Sequence, residues 1–153
     1  MKAFLMILGG ISGVLILLVV GLFVFVYISS GGAELDTESK TWVDTVVPEI
    51  VSSWGENKFK ENSNYRLLEI TDDEGISKLF STLSEQLGTL KNYEGSEGQA
   101  KISINNGVKT ITAEYIAYAE FETGTAQIEI QGIKDEDKWE ILSFYVTPVR
   151  FEE

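Results

Sequence analysis

The sequence predicts an α+β protein in which an N-terminal transmembrane helix precedes two to three helices packed on a curved antiparallel sheet of three to four strands. Three observations support this prediction. Residues 3–28 carry no charge and are rich in Leu, Val, Ile and Phe. Residues 42–54 and 76–87 place apolar side chains at helical spacing. Residues 109–121 alternate in the way that a half-buried strand does.

The apolar N-terminal segment is long enough to cross a membrane. As a helix its 26 residues would extend ~39 Å, which exceeds the ~30 Å hydrocarbon layer. The apolar region of a cleavable signal peptide is shorter, roughly 7–15 residues. We therefore predict an uncleaved anchor over residues 1–28, a linker over 29–36 and a folded domain over 37–153. Cleavage near Gly31-Gly32-Ala33 is the alternative.

Charges at the two ends of the anchor predict its orientation. Lys2 and the α-amino group precede it, whereas Glu34, Asp36 and Glu38 follow it. The positive-inside tendency then places the N-terminus in the cytoplasm and the domain in the periplasm or the extracellular space. We expect a single-pass protein of the cytoplasmic (inner) membrane, with residues 3–28 in contact with the lipid bilayer.

Small residues within the anchor offer a surface for helix packing. Gly9 and Gly13 are four residues apart, a spacing that lets two membrane helices approach closely. A type IV pilin signal also places a glycine before an apolar helix, followed by a glutamate at the fifth mature position. Residues 11–15 contain no acid, which argues against a pilin.

The first helix of the folded domain is predicted to start at a cap, Thr37 or Ser39. Pro48 should kink it or split it near Val47. A broad apolar stripe is expected to be buried; its members are Trp42, Val43, Val46, Val47, Ile50, Val51 and Trp54.

A polar turn over residues 55–64 and a short helix over 65–70 are predicted to follow. The second main helix opens with the capping-box spacing of Thr71 and Glu74 and stops at Gly88. Its apolar positions are Ile76, Leu79, Phe80, Leu83 and Leu87.

The remainder of the chain predicts an antiparallel meander. One strand places six residues on the same face: Ile111, Ala113, Tyr115, Ala117, Ala119 and Phe121. Other strands are predicted over 100–104, 125–133 and 139–146, and a short one over 90–93 before a loop at 95–98. Turns are expected at residues 105–107, 122–124 and 135–137, the first because Asn-Gly accepts positive φ angles. A change of apolar parity at Ile141–Leu142 predicts a β-bulge.

Three segments resemble the NTF2-like or cystatin-like cone fold: residues 50–59 (IVSSWGENKF), 113–124 (AEYIAYAEFETG) and 138–145 (KWEILSFY). The last is similar to the end of small bacterial NTF2-like domains, with an aromatic residue after a charged turn and then an apolar strand. The resemblance covers roughly residues 37–149 and carries no catalytic signature. It implies a fold that is often dimeric, with a pocket between sheet and helices. The superfamily includes enzymes, binding modules and assembly components, so the fold alone does not choose a function.

Composition excludes several classes of function. After Gly32 the chain has 24 acidic and 11 basic residues, a net charge of −13. No basic stripe is available to neutralise phosphates, so we expect no nucleic-acid partner. Histidine and cysteine are absent, which removes the usual zinc sites and Ser-His or Cys nucleophiles. Neither acidic run, 72–74 or 135–137, has the spacing of a calcium loop, and we predict no metal and no cofactor.

Large aromatic residues are the candidates to line a pocket, although such residues are more often simply part of a packed core. They are Trp42, Trp54, Tyr115, Trp139 and Tyr145. Isomerase-like members of the resembling superfamily use a carboxylate base beside a tyrosine, and the carboxylates available here are Asp44 and Glu114. By alternation Glu114 faces away from Tyr115. Asp44 is out of phase with the apolar stripe and is expected to face solvent.

The leading hypothesis is a membrane-anchored, extracytoplasmic, non-enzymatic binding or assembly module of the bacterial envelope, with a protein partner or a second copy as its partner. Ile116 and Tyr118, on the outer face of the sheet, are the candidate partner surface. The alternatives are a small apolar ligand-binding or isomerase-like NTF2-type enzyme, and a structural subunit of a membrane-derived filament that packs through Gly9 and Gly13.

Overall fold

The computed structural model describes residues 32–149. The chain divides into two units, residues 1–31 and 32–153. In the second unit four helices precede four strands: α1 (Ala33–Ser53), α2 (Glu56–Glu61), α3 (Tyr65–Ile70), α4 (Asp73–Leu87), β1 (Leu90–Asn105), β2 (Val108–Phe121), β3 (Gly124–Asp135) and β4 (Lys138–Val149). The α+β class and the curved, four-stranded antiparallel sheet are confirmed.

The predicted anchor, including Gly9 and Gly13, lies outside the described residues. Within residues 32–149 no helix combines the length and the apolar character that a membrane span needs.

Helix α1 begins earlier than predicted and is not divided. Its N-terminal flanking residue is Gly32, so Thr37 and Ser39 lie inside the helix and residues 33–36 do not belong to a linker. The helix continues through Pro48, because the loss of one backbone donor is offset by burial of the stripe on both sides of it. Six of the seven predicted stripe residues, all except Trp42, are buried.

The described part of the domain contains four helices where two to three are predicted, and the additional one follows α1. Glu56–Glu61 forms a short helix within the predicted polar turn, whereas Tyr65–Ile70 is helical as predicted. The cap of α4 is Asp72 rather than Thr71, since its side chain accepts a hydrogen bond from the Gly75 N–H at 2.7 Å. Leu79 is 48% exposed and does not join the buried face.

The strands form a meander in the order β1-β2-β3-β4, and all three hairpin turns fall where the sequence predicts them. Asn106 and Gly107 have φ angles of 51° and 79°, as a tight two-residue turn requires. The β-bulge in β4 is also confirmed: Gln131 pairs with Ser143 and Gly132 with Ile141, which leaves Leu142 as the extra residue.

The predicted loop at residues 95–98 is wrong, because β1 is one strand of 16 residues that runs through it. Register shifts between Leu90 and Asn92 and between Tyr93 and Gly95 let the strand accommodate this glycine-containing segment. Gly98 pairs with Tyr115 at a point where the two backbones are too close for a side chain.

The helices cover one face of the sheet, which we call the inner face. Its buried side chains include the predicted set on β2 apart from Ile111, which is half-buried. Aromatic rings join α1, α2 and α4 to the sheet. The closest ring pairs are Phe59–Phe80 at 5.3 Å, Trp54–Phe121 at 5.4 Å and Phe59–Phe144 at 5.6 Å between centroids.

Side chains and a loop bind the two outer edges of the sheet. On β1, the Ala100 N–H donates to the Asp36 carboxylate at 2.7 Å, and Lys40 Nζ donates to the Ser96 carbonyl at 2.6 Å. On β4, the Ile141 N–H and carbonyl bond to the backbone of residues 62 and 64 at 2.7 and 2.8 Å. Bonding of this kind blocks parts of both edges against pairing with other strands.

We expect Gly132→Ala to destabilise the domain by about 2 kcal/mol through overpacking. A Cβ atom at position 132 would lie 2.6 Å from Cζ3 of Trp42. The indole has little freedom to retreat, since it stacks on Trp139 at 5.9 Å. Urea unfolding of the chain, followed by circular dichroism, measures the effect.

The matched background for this substitution is Trp42→Phe, which removes the far ring atoms that the added methyl group would contact. The Trp42 N–H is buried without a hydrogen-bond acceptor among the described residues, so its removal relieves a desolvation cost. In that background Gly132→Ala should cost less than about 1 kcal/mol. Equal costs in both backgrounds would contradict the assigned contact.

Candidate functional site

The five aromatic candidates do not line one common space. Trp42 stacks on Trp139, and Trp54 packs on Phe121 and on Phe80 at 6.2 Å. These tryptophan rings fill the layer between helices and sheet. Tyr145 is on the other face, paired with Glu129, and is 64% exposed. It therefore cannot contribute to a pocket between sheet and helices.

Tyr115 forms a buried polar contact with the first turns of α1. Its hydroxyl lies 2.8 Å from the Ser39 hydroxyl and donates to the Asp36 carbonyl at 3.0 Å. Ser39 is fully buried, and burial raises the pKa of Tyr115 above its ordinary value. This contact fixes the N-terminal half of α1 on the sheet.

A second polar cluster, which we call the Asp44 cluster, joins the middle of α1 to β1. Contrary to the prediction that Asp44 faces solvent, its carboxylate is half-buried against the strand. One oxygen accepts hydrogen bonds from Tyr93 at 2.8 Å and from Ser96 at 2.7 Å. The other accepts from Lys40 at 2.8 Å, and Lys40 also donates to the Ser96 carbonyl. The cluster thus consists of Lys40, Asp44, Tyr93 and Ser96.

The electrostatics of the cluster favour an ionised carboxylate. Burial raises the pKa of Asp44, but the hydrogen bonds from Lys40, Ser96 and Tyr93 outweigh it, so the pKa is lowered from its ordinary value. Burial and the adjacent Asp44 charge raise the pKa of Tyr93. A general base that works near neutral pH needs a raised pKa and a free lone pair facing its substrate. Asp44 has a lowered pKa and accepts hydrogen bonds from three donors, which suits a structural role in holding α1 against β1.

Glu114 lies on the outer face, opposite in direction to Tyr115, as alternation predicts. Its Oε1 accepts a hydrogen bond from Gln131 at 3.2 Å. Burial raises the pKa of Glu114, and Lys101 partly opposes this. Within residues 32–149 no three acidic side chains converge closely enough to hold a metal ion.

The outer face of the sheet carries the two residues predicted as a partner surface. Ile116 and Tyr118 are half-buried, adjacent along β2, and uncovered by any of the four described helices. Ile116 pairs with Glu97 on β1 and Glu129 on β3. Tyr145 extends the same row on β4. The face therefore combines apolar and aromatic groups with carboxylates.

We expect Glu114→Gln to stabilise the domain by about 0.5 kcal/mol at pH 7. Because the folded pKa is raised, the favourable contribution of Glu114 is fully present below its ordinary pKa of 4.5 and is lost as the pH rises through the folded value. The neutral amide avoids that loss. Thermal unfolding should show that the Glu114→Gln variant is more stable than the native chain at pH 7 but not at pH 4. Glu120→Gln, at an exposed position on the same face, is the control, and a gain of equal size there would contradict the assignment.

The sequence pattern missed most of the polar contacts of α1. Tyr93 and Ser96 gave no signal, because they lie 49 and 52 residues from Asp44 and their relation depends on the register of β1. Lys40 could have been found, since its position four residues before Asp44 is that of a helical ion pair.

Comparison with known proteins gives no further assignment: no family model, no curated protein and no solved structure matches this chain.

Proposed function

We propose that the chain is a membrane-anchored, extracytoplasmic, non-enzymatic binding or assembly module of the bacterial envelope, with a folded part related to NTF2-like or cystatin-like domains. The observation that carries the proposal is the outer face of the sheet, which no helix within residues 32–149 covers and which has Ile116 and Tyr118 at its centre. The 26-residue apolar segment supports the proposed location in the membrane. A long helix on one face of a four-stranded meander supports the proposed relationship.

The charge of the outer face favours a basic protein partner over a second copy. Glu97 and Glu129 flank Ile116 across the neighbouring strands, and Glu114 lies two residues before it on the same strand. Two such faces placed together would bring like charges into contact, which disfavours association. A partner with Lys or Arg side chains could pair with the glutamates while its aliphatic stems cover Ile116 and Tyr118.

Site-specific photocrosslinking of the full-length chain in its native envelope tests this proposal. A photoreactive phenylalanine analogue replaces Tyr118, and the same analogue at Tyr65, 59% exposed on α3, is the control. We expect one discrete adduct from position 118, not from 65, with a basic protein and with a yield that falls at high salt. An adduct of twice the chain mass would indicate a second copy, and a ladder of masses would indicate a filament. The absence of any adduct specific to position 118 would contradict the proposal.

The hydrogen bond between Tyr93 and Asp44 is the observation that favours the isomerase-like alternative. The Asp44 carboxylate, however, already accepts hydrogen bonds from three donors and has a lowered pKa, and both facts favour a structural role instead. Thermal unfolding with a panel of apolar metabolites distinguishes the two. A ligand-dependent stabilisation that Asp44→Asn abolishes would support the enzyme, because a ligand that binds only the folded state raises its stability.

A further inference from the structure

The outer edge of β4 has unpaired backbone groups beyond the point where the α2–α3 connection binds it. Ile141, opposite Gly132, directs its N–H and carbonyl away from β3, towards that connection. Phe144, Val146 and Pro148 lie opposite the β3 residues two, four and six positions before Gly132, so their backbone groups point the same way. Among residues 32–149 these groups have no backbone partner outside the sheet. The free edge therefore offers two N–H groups and three carbonyls, since proline has no N–H.

This edge is also the longest uncharged part of the folded domain. Residues 141–149 contain no Asp, Glu, Lys or Arg, and no other stretch within residues 32–149 is as long without one. Sheet edges that must not pair are usually protected by charged side chains, by proline or by a covering element. The β1 edge is held by the side chains of Asp36 and Lys40. On the free part of β4 the only such feature is Pro148, which removes one donor at its end.

Two copies of this edge are complementary to each other in an antiparallel arrangement. When Val146 lies opposite Val146 of a second copy, its N–H donates to the carbonyl of its counterpart, and the Phe144 N–H donates to the Pro148 carbonyl. Both donors of each copy then have acceptors. Tyr145 faces Thr147 on the outer side of the junction, and Phe144 faces Pro148 on the inner side. Every side-chain pair across the junction is therefore uncharged.

The α2–α3 connection limits the register of such a pair. An axis at Tyr145 would satisfy the same donors, but it would bring the end of the second strand, residues 148–149, against Ile141. Asn62 and Asn64 are already bonded to Ile141, at 2.7 and 2.8 Å. An axis at Val146 ends the pairing at residue 144, short of that connection. The geometry thus selects one register.

We propose that two copies of the chain associate through β4 and form one continuous antiparallel sheet with Val146 at its two-fold axis. The proposal goes beyond the binding role proposed above and depends neither on the anchor nor on a basic partner. A ladder this short associates weakly, so the dimer is expected to be in exchange with the single chain.

The charge of the outer face does not oppose this arrangement. The two-fold axis of an antiparallel strand pair is perpendicular to the sheet, so the outer faces of the two copies lie side by side instead of against each other. Glu129, the outer-face carboxylate nearest the axis, lies opposite Tyr145 on β3. It is separated from its counterpart by three strand spacings, ~14 Å, beyond the Debye length of about 8 Å at physiological salt. A basic partner would meet an outer face of twice the width.

Disulfide trapping tests both the association and its register, because the chain has no cysteine of its own. Full-length chains with Tyr145→Cys and with Thr147→Cys carry different tags, are produced together in the native envelope and are oxidised with copper phenanthroline. Across the junction these two positions are about 4.5 Å apart between Cα atoms. Two cysteines at 145 are diagonal neighbours, ~8 Å apart, which is too far for a disulfide. We expect a dimer that carries both tags, several-fold more abundant than the dimer from either variant alone.

Three results would overturn the proposal. Dimer yields that are equal for the mixture and for each variant alone would indicate random collision. The absence of dimer in all three samples would mean that the copies do not associate through this edge. A disulfide to a different protein, without the two-tag dimer, would show that the edge takes a strand of another chain.

A second comparison tests whether backbone pairing holds the copies together. Val146→Pro removes the N–H at the axis without removing a hydrogen bond to β3, whereas Val146→Ala keeps that N–H. In the two-tag mixture, Val146→Pro should reduce the trapped dimer to the level of the single variants, and Val146→Ala should retain it. Thermal unfolding by circular dichroism checks that both variants are folded. Equal trapping in the two variants would also overturn the proposal.

Discussion

Gly98→Ala is expected to lower the free energy of unfolding by at least about 3 kcal/mol, at the upper end of the usual cost of overpacking. A Cβ atom at this position would lie 2.0 Å from the Glu114 carbonyl oxygen and 2.7 Å from Cα of Tyr115. Both atoms belong to the backbone of the adjacent strand and cannot rotate away. Relief therefore requires β1 and β2 to separate where they also hold α1, through the Ala100–Asp36 hydrogen bond two residues further on.

Gly107→Ala is the matched control for this substitution. Gly107 has a φ of 79° but nothing within 4 Å of a built Cβ, so its replacement should cost only about 1 kcal/mol from backbone strain. Urea unfolding of both variants, followed by near-ultraviolet circular dichroism, separates steric conflict from strain. If the two variants lost similar free energies of unfolding, the strands at Gly98 could separate easily enough to accept a side chain.

The elements that the sequence predicts well depend on local patterns. The alternation over residues 109–121 places β2 correctly because each residue's face is fixed by its parity, whatever lies across the sheet. The Asn106-Gly107 turn is equally local, as is the bulge at Leu142, where apolar parity changes within one strand. Patterns of this kind need no knowledge of partners.

The incorrect predictions have causes that lie elsewhere in the chain. Gly95 and Gly98 indicate a loop when read alone, but Gly98 is a site of close approach to Tyr115 within a continuous strand. Pro48 predicts a kinked or a split helix when read alone, and burial of residues before and after it keeps α1 continuous, so the split does not occur. Tertiary packing overrides local propensity at each of these positions.

The candidate sites show the same division. Alternation places Ile116 and Tyr118 on the outer face, where they lie. The assignment of Tyr145 to the pocket rests on its aromatic character alone, and its position between Phe144 and Val146 places it on the outer face. The prediction that Asp44 faces solvent is wrong because an amphipathic pattern ranks positions only by their distance from one apolar stripe. It carries no information about β1, which lies beside that stripe and supplies Tyr93 and Ser96.

Asp44→Ala is expected to destabilise the domain by about 2–3 kcal/mol, since hydrogen bonds to charged groups are among the stronger ones and their donors would be left without an acceptor. The donors left without an acceptor are the hydroxyl of Tyr93 and the hydroxyl of the buried Ser96, whereas the ammonium of Lys40 keeps the Ser96 carbonyl. Glu49→Ala, which removes an exposed carboxylate from the same helix, is the control and should change stability by less than about 0.5 kcal/mol.

The pH dependence of the stability lost on substitution of Asp44 shows whether the ionised carboxylate or only the packing of its side chain holds α1 against β1. Because the folded pKa is lowered, the contribution of Asp44 is present above its ordinary pKa of 3.8 and is lost as the pH falls through the folded value. The stability difference between the native chain and Asp44→Asn should therefore be constant from pH 7 to 5 and shrink below pH 4. A difference that persists unchanged at the lowest pH would show that shape, not charge, holds α1 against β1. The hydrogen bonds from Tyr93 and Ser96 would then be as strong to a protonated carboxyl group as to a carboxylate, which the charge-assisted character of such bonds argues against.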